Sequence, residues 1–119
     1  FYKRAQVEKA KIQLEGIRLQ QELTAEGLKL EVAQARSNYL GALERLESQR
    51  ESRDLAERIY EVSRTKYMEG VGSSLELTTA QQDLQTAEDT YIGVLYEVLA
   101  ARADFIKALG RYPTVMDFR

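Results

Sequence analysis

The strongest constraint on the fold is a run of apolar residues that alternates steps of three and four positions through the second half of the chain. Such spacing places all of these side chains on one face of an α-helix and predicts a helix packed against a partner. The run, which we call the seam, consists of Leu77, Ala80, Leu84, Ala87, Tyr91, Val94, Val98, Ala101, Phe105 and Ala108. Gly110 and Pro113 follow it and predict that this helix ends at residue 110.

The first half of the chain carries a similar, less regular seam. Its members are Val7, Ala10, Leu14, Ile17, Leu28, Val32, Ala35, Tyr39, Ala42, Leu46, Ala56, Tyr60 and Tyr67. Gly16, Gly27 and Gly41 each cost about 1 kcal/mol relative to alanine inside a helix, but no proline or turn cluster accompanies them. We therefore predict one long helix over residues 1–69. A break near Gly27 or Gly41 would instead give a three-helix bundle, and continuity through residues 25–45 distinguishes the two.

The segment GVGSS, residues 70–74, predicts a tight turn between the two helices; we call it the tip. Gly70 suits the left-handed conformation that closes a helix, and Gly72 allows the chain to reverse. Ser73 with Glu76 matches a capping box at the start of a second helix over residues 75–110, with residues 111–119 leaving it. The expected fold is an all-α, antiparallel hairpin in which residue i lies opposite roughly residue 143 − i.

The two predicted helices differ in length, because the second should cover only about half of the first. Five seam residues in the first helix then lack a partner within this chain: Val7, Leu14, Ile17, Leu28 and Val32. A helix with an uncovered apolar stripe is only marginally stable in water. We expect another chain, or further parts of a longer protein, to cover this stripe, and we expect the chain to self-associate through residues 1–35.

The composition argues against several classes of function. The chain has no histidine and no cysteine, so the commonest general base, the thiol nucleophile and the usual zinc ligands are missing, and we expect no enzyme, no metal and no cofactor. The net charge of −2 does not indicate the basic surface that a nucleic-acid-binding protein needs. No apolar run reaches the roughly 18 residues of a membrane span, and the beginning FYKRAQ suggests a segment of a longer protein.

An ordered set of residues around the turn resembles the TolC-like outer-membrane efflux family. The pattern Y-x-x-G-x-x-S at Tyr67, Gly70 and Ser73 is followed by AQ at 80–81, by several seam residues and by ALG at 108–110. AQVEKAKIQLE resembles the start of the family's long helix, and RYPTVMDF its exit toward the equatorial region. The resemblance covers nearly the whole chain. Each subunit of that family contains two similar repeats with one long and one shorter helix, and the resemblance implies that this chain is the helical hairpin of the second repeat.

The resemblance implies a conduit with no chemistry of its own. It implies a homotrimer whose helices form a barrel across the periplasm below the outer membrane, with membrane contact only through a β-barrel outside this segment. The partners would be a periplasmic adaptor (membrane fusion) protein and, through it, an inner-membrane pump for efflux or type I secretion. Residues 1–69 would descend to a periplasmic tip and 75–110 would ascend from it.

The resemblance also implies roles for particular residues. The tip, Gly70, Val71, Gly72, Ser73 and Ser74, would dock the adaptor, while Tyr67 and Glu76 would serve the pore or its gate. For Glu76, the alternative to the pore role is the capping role at the start of the second helix. For the tip, the alternative to docking is an ordinary hairpin turn. Gly72 and Thr79 stand where some members carry an arginine and a second acidic residue.

One other class of protein also contains a long helical hairpin. A periplasmic adaptor would need two arms of similar length, flanked by β segments rich in glycine and valine. The sequence shows neither feature.

Overall fold

The structure is a computed structural model that describes the backbone of residues 1–116 and the side chains of residues 1–111. This part of the chain forms two helices. Helix α1 spans Tyr2–Met68 and has 67 residues; helix α2 spans Ser74–Met116 and has 43 residues. The predicted fold class, an all-α hairpin with one long and one shorter helix, is confirmed.

Helix α1 runs without a break through its three glycines. Alanine, leucine, glutamate, glutamine and arginine, all good helix formers, occupy most of its positions and outweigh the cost of each glycine. The three-helix alternative therefore does not describe this chain. The adaptor alternative does not fit either, because the arms of 67 and 43 residues are unequal.

Helix α2 extends further than the sequence suggested. We predicted its end at Gly110, but the helix continues through Gly110 and Pro113 to Met116. The physical reason is that Gly110 keeps a negative φ and does not form a left-handed cap; Gly70 has the only positive φ in the described chain. Pro113 lies in the last turn of the helix. Its missing amide donor removes a backbone hydrogen bond only near the end of the helix, so the helix is not broken earlier. Residues 117–119, the end of the expected exit segment, lie outside the described residues.

Contacts divide the chain into two compact units. One contains residues 37–103, and the other contains residues 1–36 with the chain from residue 104 onward. In the first unit α1 and α2 are antiparallel: Arg45 Nη2 lies 3.4 Å from Glu97 Oε2, and the guanidinium carbon of Arg53 lies 4.4 Å from the centre of the Tyr91 ring. Both pairs confirm the predicted register within one residue.

The interior of the 37–103 unit consists of small side chains. Ala42, Ala80 and Val98 are its buried apolar residues, while larger seam residues such as Leu46 and Tyr60 are half-buried. Small residues at the contact allow two helices to approach closely, and a two-helix layer leaves every larger side chain partly in water.

In the other unit, the predicted register also holds, because Arg111 Nη1 lies 3.8 Å from Glu31 Oε2. Leu28 and Val32 are half-buried, which corrects the prediction that they are uncovered within this chain, and the backbone of α2 continues past residue 110. Val7, Leu14 and Ile17 are exposed, as predicted.

Candidate functional site

The end of α1 is closed by two backbone hydrogen bonds around Gly70. The Gly70 amide donates to the Tyr67 carbonyl at 3.1 Å, and the Val71 amide donates to the Lys66 carbonyl at 3.0 Å. These are the two bonds of a Schellman motif, with Gly70 at φ 79° in the left-handed position. The predicted glycine cap is therefore confirmed, and the Lys66 and Tyr67 carbonyls accept backbone hydrogen bonds and need no side-chain donor.

Gly72 is required by close packing of the backbone. Its φ is not positive, which corrects the expectation that it needs glycine's conformational freedom. Instead, the Gly72 amide also donates to the Lys66 carbonyl at 3.0 Å, and this holds residue 72 against the end of α1. A Cβ at position 72 would lie 2.9 Å from Lys66 Cβ and 3.1 Å from the Tyr67 backbone nitrogen.

Ser73 begins α2 as its N-cap. Its Oγ accepts a hydrogen bond from the Glu76 amide at 3.1 Å, and its carbonyl accepts from the Leu77 amide at 3.3 Å. The serine half of the predicted capping box is thus present, and it satisfies one of the free amides at the start of the helix. Within the described chain, the Glu76 carboxylate has no hydrogen bond back to Ser73.

The tip and the residues beside it present a group of exposed apolar side chains. Val71 is 76% exposed, and Met68 and Leu75, which flank the tip, are each 74% exposed. Because the backbone is tied by the bonds around Lys66 and Ser73, these side chains project from a well-defined turn. Met68 and Leu75 were not among the residues predicted for the site, although both are large apolar residues outside the seam and next to the turn.

The two candidate pore or gate residues lie on either side of the tip. Tyr67 is in the last turn of α1 with its side chain 48% exposed, and its backbone carbonyl is used by the Schellman motif. Glu76 is in the first turn of α2, where a carboxylate is favoured by the helix dipole, and its side chain is exposed. Both side chains are accessible to solvent.

Other kinds of site find no support in the part of the chain that is described. Residues 1–116 contain no group of three or more acidic residues placed to hold a metal ion. Neither helix, over the same residues, has a segment both long and apolar enough to cross a membrane.

Comparison with known proteins bears on almost the whole chain. The family model described as outer membrane efflux protein matches residues 2–111, while no curated protein and no solved structure matches the chain. Proteins of that family are outer-membrane channels of bacteria that act in transport and not in catalysis. The chain therefore belongs to the outer membrane efflux protein family.

Proposed function

We propose that this chain is the periplasmic helical hairpin of a trimeric outer-membrane channel for tripartite efflux or type I secretion, and that its tip docks a periplasmic adaptor protein. The adaptor would in turn connect the channel to an inner-membrane pump. The role of the chain is mechanical: it forms part of the wall of the conduit and supplies one end for attachment.

The observation that carries this proposal is the exposed apolar group at a rigid turn. The side chains of Met68, Val71 and Leu75 are about three-quarters exposed, although large apolar side chains are usually buried when a protein folds. Apolar residues held on a fixed backbone lose little conformational entropy when a partner covers them. Such a patch suits attachment to another protein, and family membership makes a protein of the same export assembly the fitting partner.

Assembly into a barrel is supported by the exposed seam of α1. Val7, Leu14 and Ile17 remain exposed in the unit that contains them. A barrel in which neighbouring subunits pack side by side would cover this stripe, since each helix then has a neighbour on more than one face.

The pore role of Tyr67 and Glu76 follows from their place beside the tip. In a closed ring of hairpins, exposed side chains at the tips approach those of neighbouring subunits. Tyr67 would then contact an adjacent helix and narrow the opening, and the Glu76 carboxylate would contribute negative charge there. Because its carboxylate has no capping bond, Glu76 is available for this role.

Docking is tested by Val71→Asp in the complete channel subunit, with Val71→Leu as the matched control. Aspartate places a charge in an apolar contact, whereas leucine preserves it, and neither change touches a side chain that the hairpin needs. We expect Val71→Asp to lose cross-linking between tip and adaptor and to make cells sensitive to exported compounds, at unchanged channel abundance. If Val71→Asp exports and cross-links normally, the tip does not dock the adaptor and is an ordinary hairpin turn.

A further inference from the structure

Sulfur is rare in this chain, and one sulfur atom lies directly beside the tip. The sequence has no cysteine and two methionines, Met68 and Met116. Met68 is the last residue of α1, and the side chain of Met116 lies outside the described residues. Thiols and thioethers are the side chains that peroxides and hypochlorous acid oxidise. Among the described side chains, Met68 is therefore the one that carries this chemistry.

The Met68 side chain is open to oxidants dissolved in water. It is 74% exposed, whereas a methionine inside a core is shielded by the atoms packed around it. The turn beside it is held by backbone hydrogen bonds on the Lys66 and Tyr67 carbonyls and by the Ser73 N-cap. None of these bonds uses the Met68 side chain, so a change at its sulfur leaves the hairpin folded.

From this exposure at the tip we propose that Met68 is an oxidation site that regulates docking. Oxidants of the peroxide or hypochlorous-acid class convert its thioether to the sulfoxide, and the sulfoxide weakens attachment of the adaptor. The effect on attachment rests on the proposed function, because it requires that the tip docks. The oxidation itself requires only the exposed sulfur.

The oxidation step is a transfer of one oxygen atom to sulfur. A lone pair of the Met68 sulfur forms the new S–O bond, and sulfur loses two electrons. With hydrogen peroxide the O–O bond breaks and the second oxygen leaves as water; with hypochlorous acid the O–Cl bond breaks and chlorine leaves as chloride with a proton. The thioether needs no deprotonation, so no neighbouring base is required.

The sulfoxide changes the chemistry of the surface around Val71. Met68, Val71 and Leu75 form an exposed group of apolar side chains, and neither Val71 nor Leu75 can donate a hydrogen bond to a new oxygen. An apolar partner that covers this group must therefore remove water from the sulfoxide oxygen without replacing its hydrogen bonds, which is unfavourable. Oxidation at Met68 thus weakens the contact that Val71 makes.

The reverse step makes the change a switch. Methionine sulfoxide reductases, one for each sulfoxide epimer, restore the thioether. Two thiols of the reductase supply the two electrons and become a disulfide, while the sulfoxide oxygen leaves as water. Docking lost by oxidation of Met68 should therefore return after reduction.

Mild treatment of the purified complete channel subunit with hypochlorous acid tests the inference, with Met68→Leu as the matched control. Leucine keeps an apolar side chain of similar volume but has no sulfur. Peptide mass spectrometry measures the sulfoxide at Met68, and cross-linking measures attachment of the adaptor. We expect oxidised wild type to bind the adaptor at least about fivefold more weakly, and treated Met68→Leu to bind as before. An unoxidised Met68, or an equal loss of binding in both proteins, would overturn the inference.

Two further measurements separate a surface effect from damage to the fold. Met68→Gln places a polar side chain of similar length at the tip without any oxidant, and it should weaken docking; normal docking by this variant would contradict the inference. The two reductases should restore binding of the oxidised wild type, and its circular dichroism should equal that of untreated protein. Loss of helix on oxidation would mean that Met68 supports the fold, against the inference.

Val71→Asp distinguishes failure of this inference from failure of docking. If untreated Val71→Asp loses cross-linking while oxidised wild type keeps it, docking stands and the role of Met68 is wrong. If untreated Val71→Asp cross-links normally, docking itself is wrong and regulation by Met68 is overturned with it.

Discussion

At the residue scale, two glycines two positions apart in the same turn are needed for different physical reasons. Gly70 adopts φ 79°, which costs most other residues roughly 1–2 kcal/mol. Gly72 does not have a positive φ. Its amide donates a hydrogen bond to the Lys66 carbonyl, and Lys66 already occupies the space that a Cβ at position 72 would need. The turn is thus defined by one torsion angle and one close approach.

The close approach predicts that even the smallest side chain at position 72 is harmful. Gly72→Ala would bring its Cβ within 3.1 Å of the Tyr67 backbone nitrogen, so the backbone must move, and we expect a loss of about 1–3 kcal/mol in the free energy of unfolding. Urea denaturation measures this loss. Gly93→Ala, in open helix, should instead stabilise by up to about 1 kcal/mol. Equal stability of Gly72→Ala and wild type would show that the turn relaxes freely.

At the scale of the helices, α1 and α2 approach each other through small residues and are aligned by polar pairs at the edges. Ala42 is 1% exposed, whereas the Arg45–Glu97 pair is more than half exposed on both sides. An exposed ion pair contributes about 0–1 kcal/mol, so it helps to select the register and adds little stability. Close packing around alanine is the larger contribution.

Close packing at Ala42 predicts a strong effect of added volume. Ala42→Leu should destabilise the 37–103 unit by about 1–3 kcal/mol, because the extra carbons force the helices apart or into strained rotamers. Thermal unfolding followed by circular dichroism measures the change. Ala100→Leu is the matched control, since Ala100 is exposed on α2, and it should shift stability by less than about 0.5 kcal/mol. Similar melting of both variants would mean that the interface at Ala42 is loose.

At the scale of the whole molecule, the two units differ in how much they bury. The 37–103 unit contains Ala42, Ala80 and Val98 as buried residues, whereas the other unit buries Ala108 and leaves every residue from 1 to 24 exposed. Local opening requires little free energy where few apolar contacts are lost.

The difference in burial predicts a gradient of amide hydrogen exchange. In dilute protein, amides of residues 5–24 should exchange fastest among the helical ones, and those near Ala42, Ala80 and Val98 slowest, by at least about tenfold. Exchange followed by mass spectrometry of peptides checks this ordering. Uniform protection along α1 would indicate that its N-terminal part is stabilised by contacts the single chain does not have.

The sequence by itself determined the features that depend on neighbours within a few positions. The helical type, the cap at Gly70, the N-cap at Ser73 and the register of the hairpin follow from apolar spacing and turn chemistry, which act over three or four residues. Only the tertiary structure decided that α2 passes Gly110, that Leu28 and Val32 are half-buried, and that Gly72 is needed because of its distance from Lys66. It also revealed that Met68 and Leu75 are exposed beside the tip. Those properties depend on which atoms meet across space, and a linear pattern of residue types does not specify such distances.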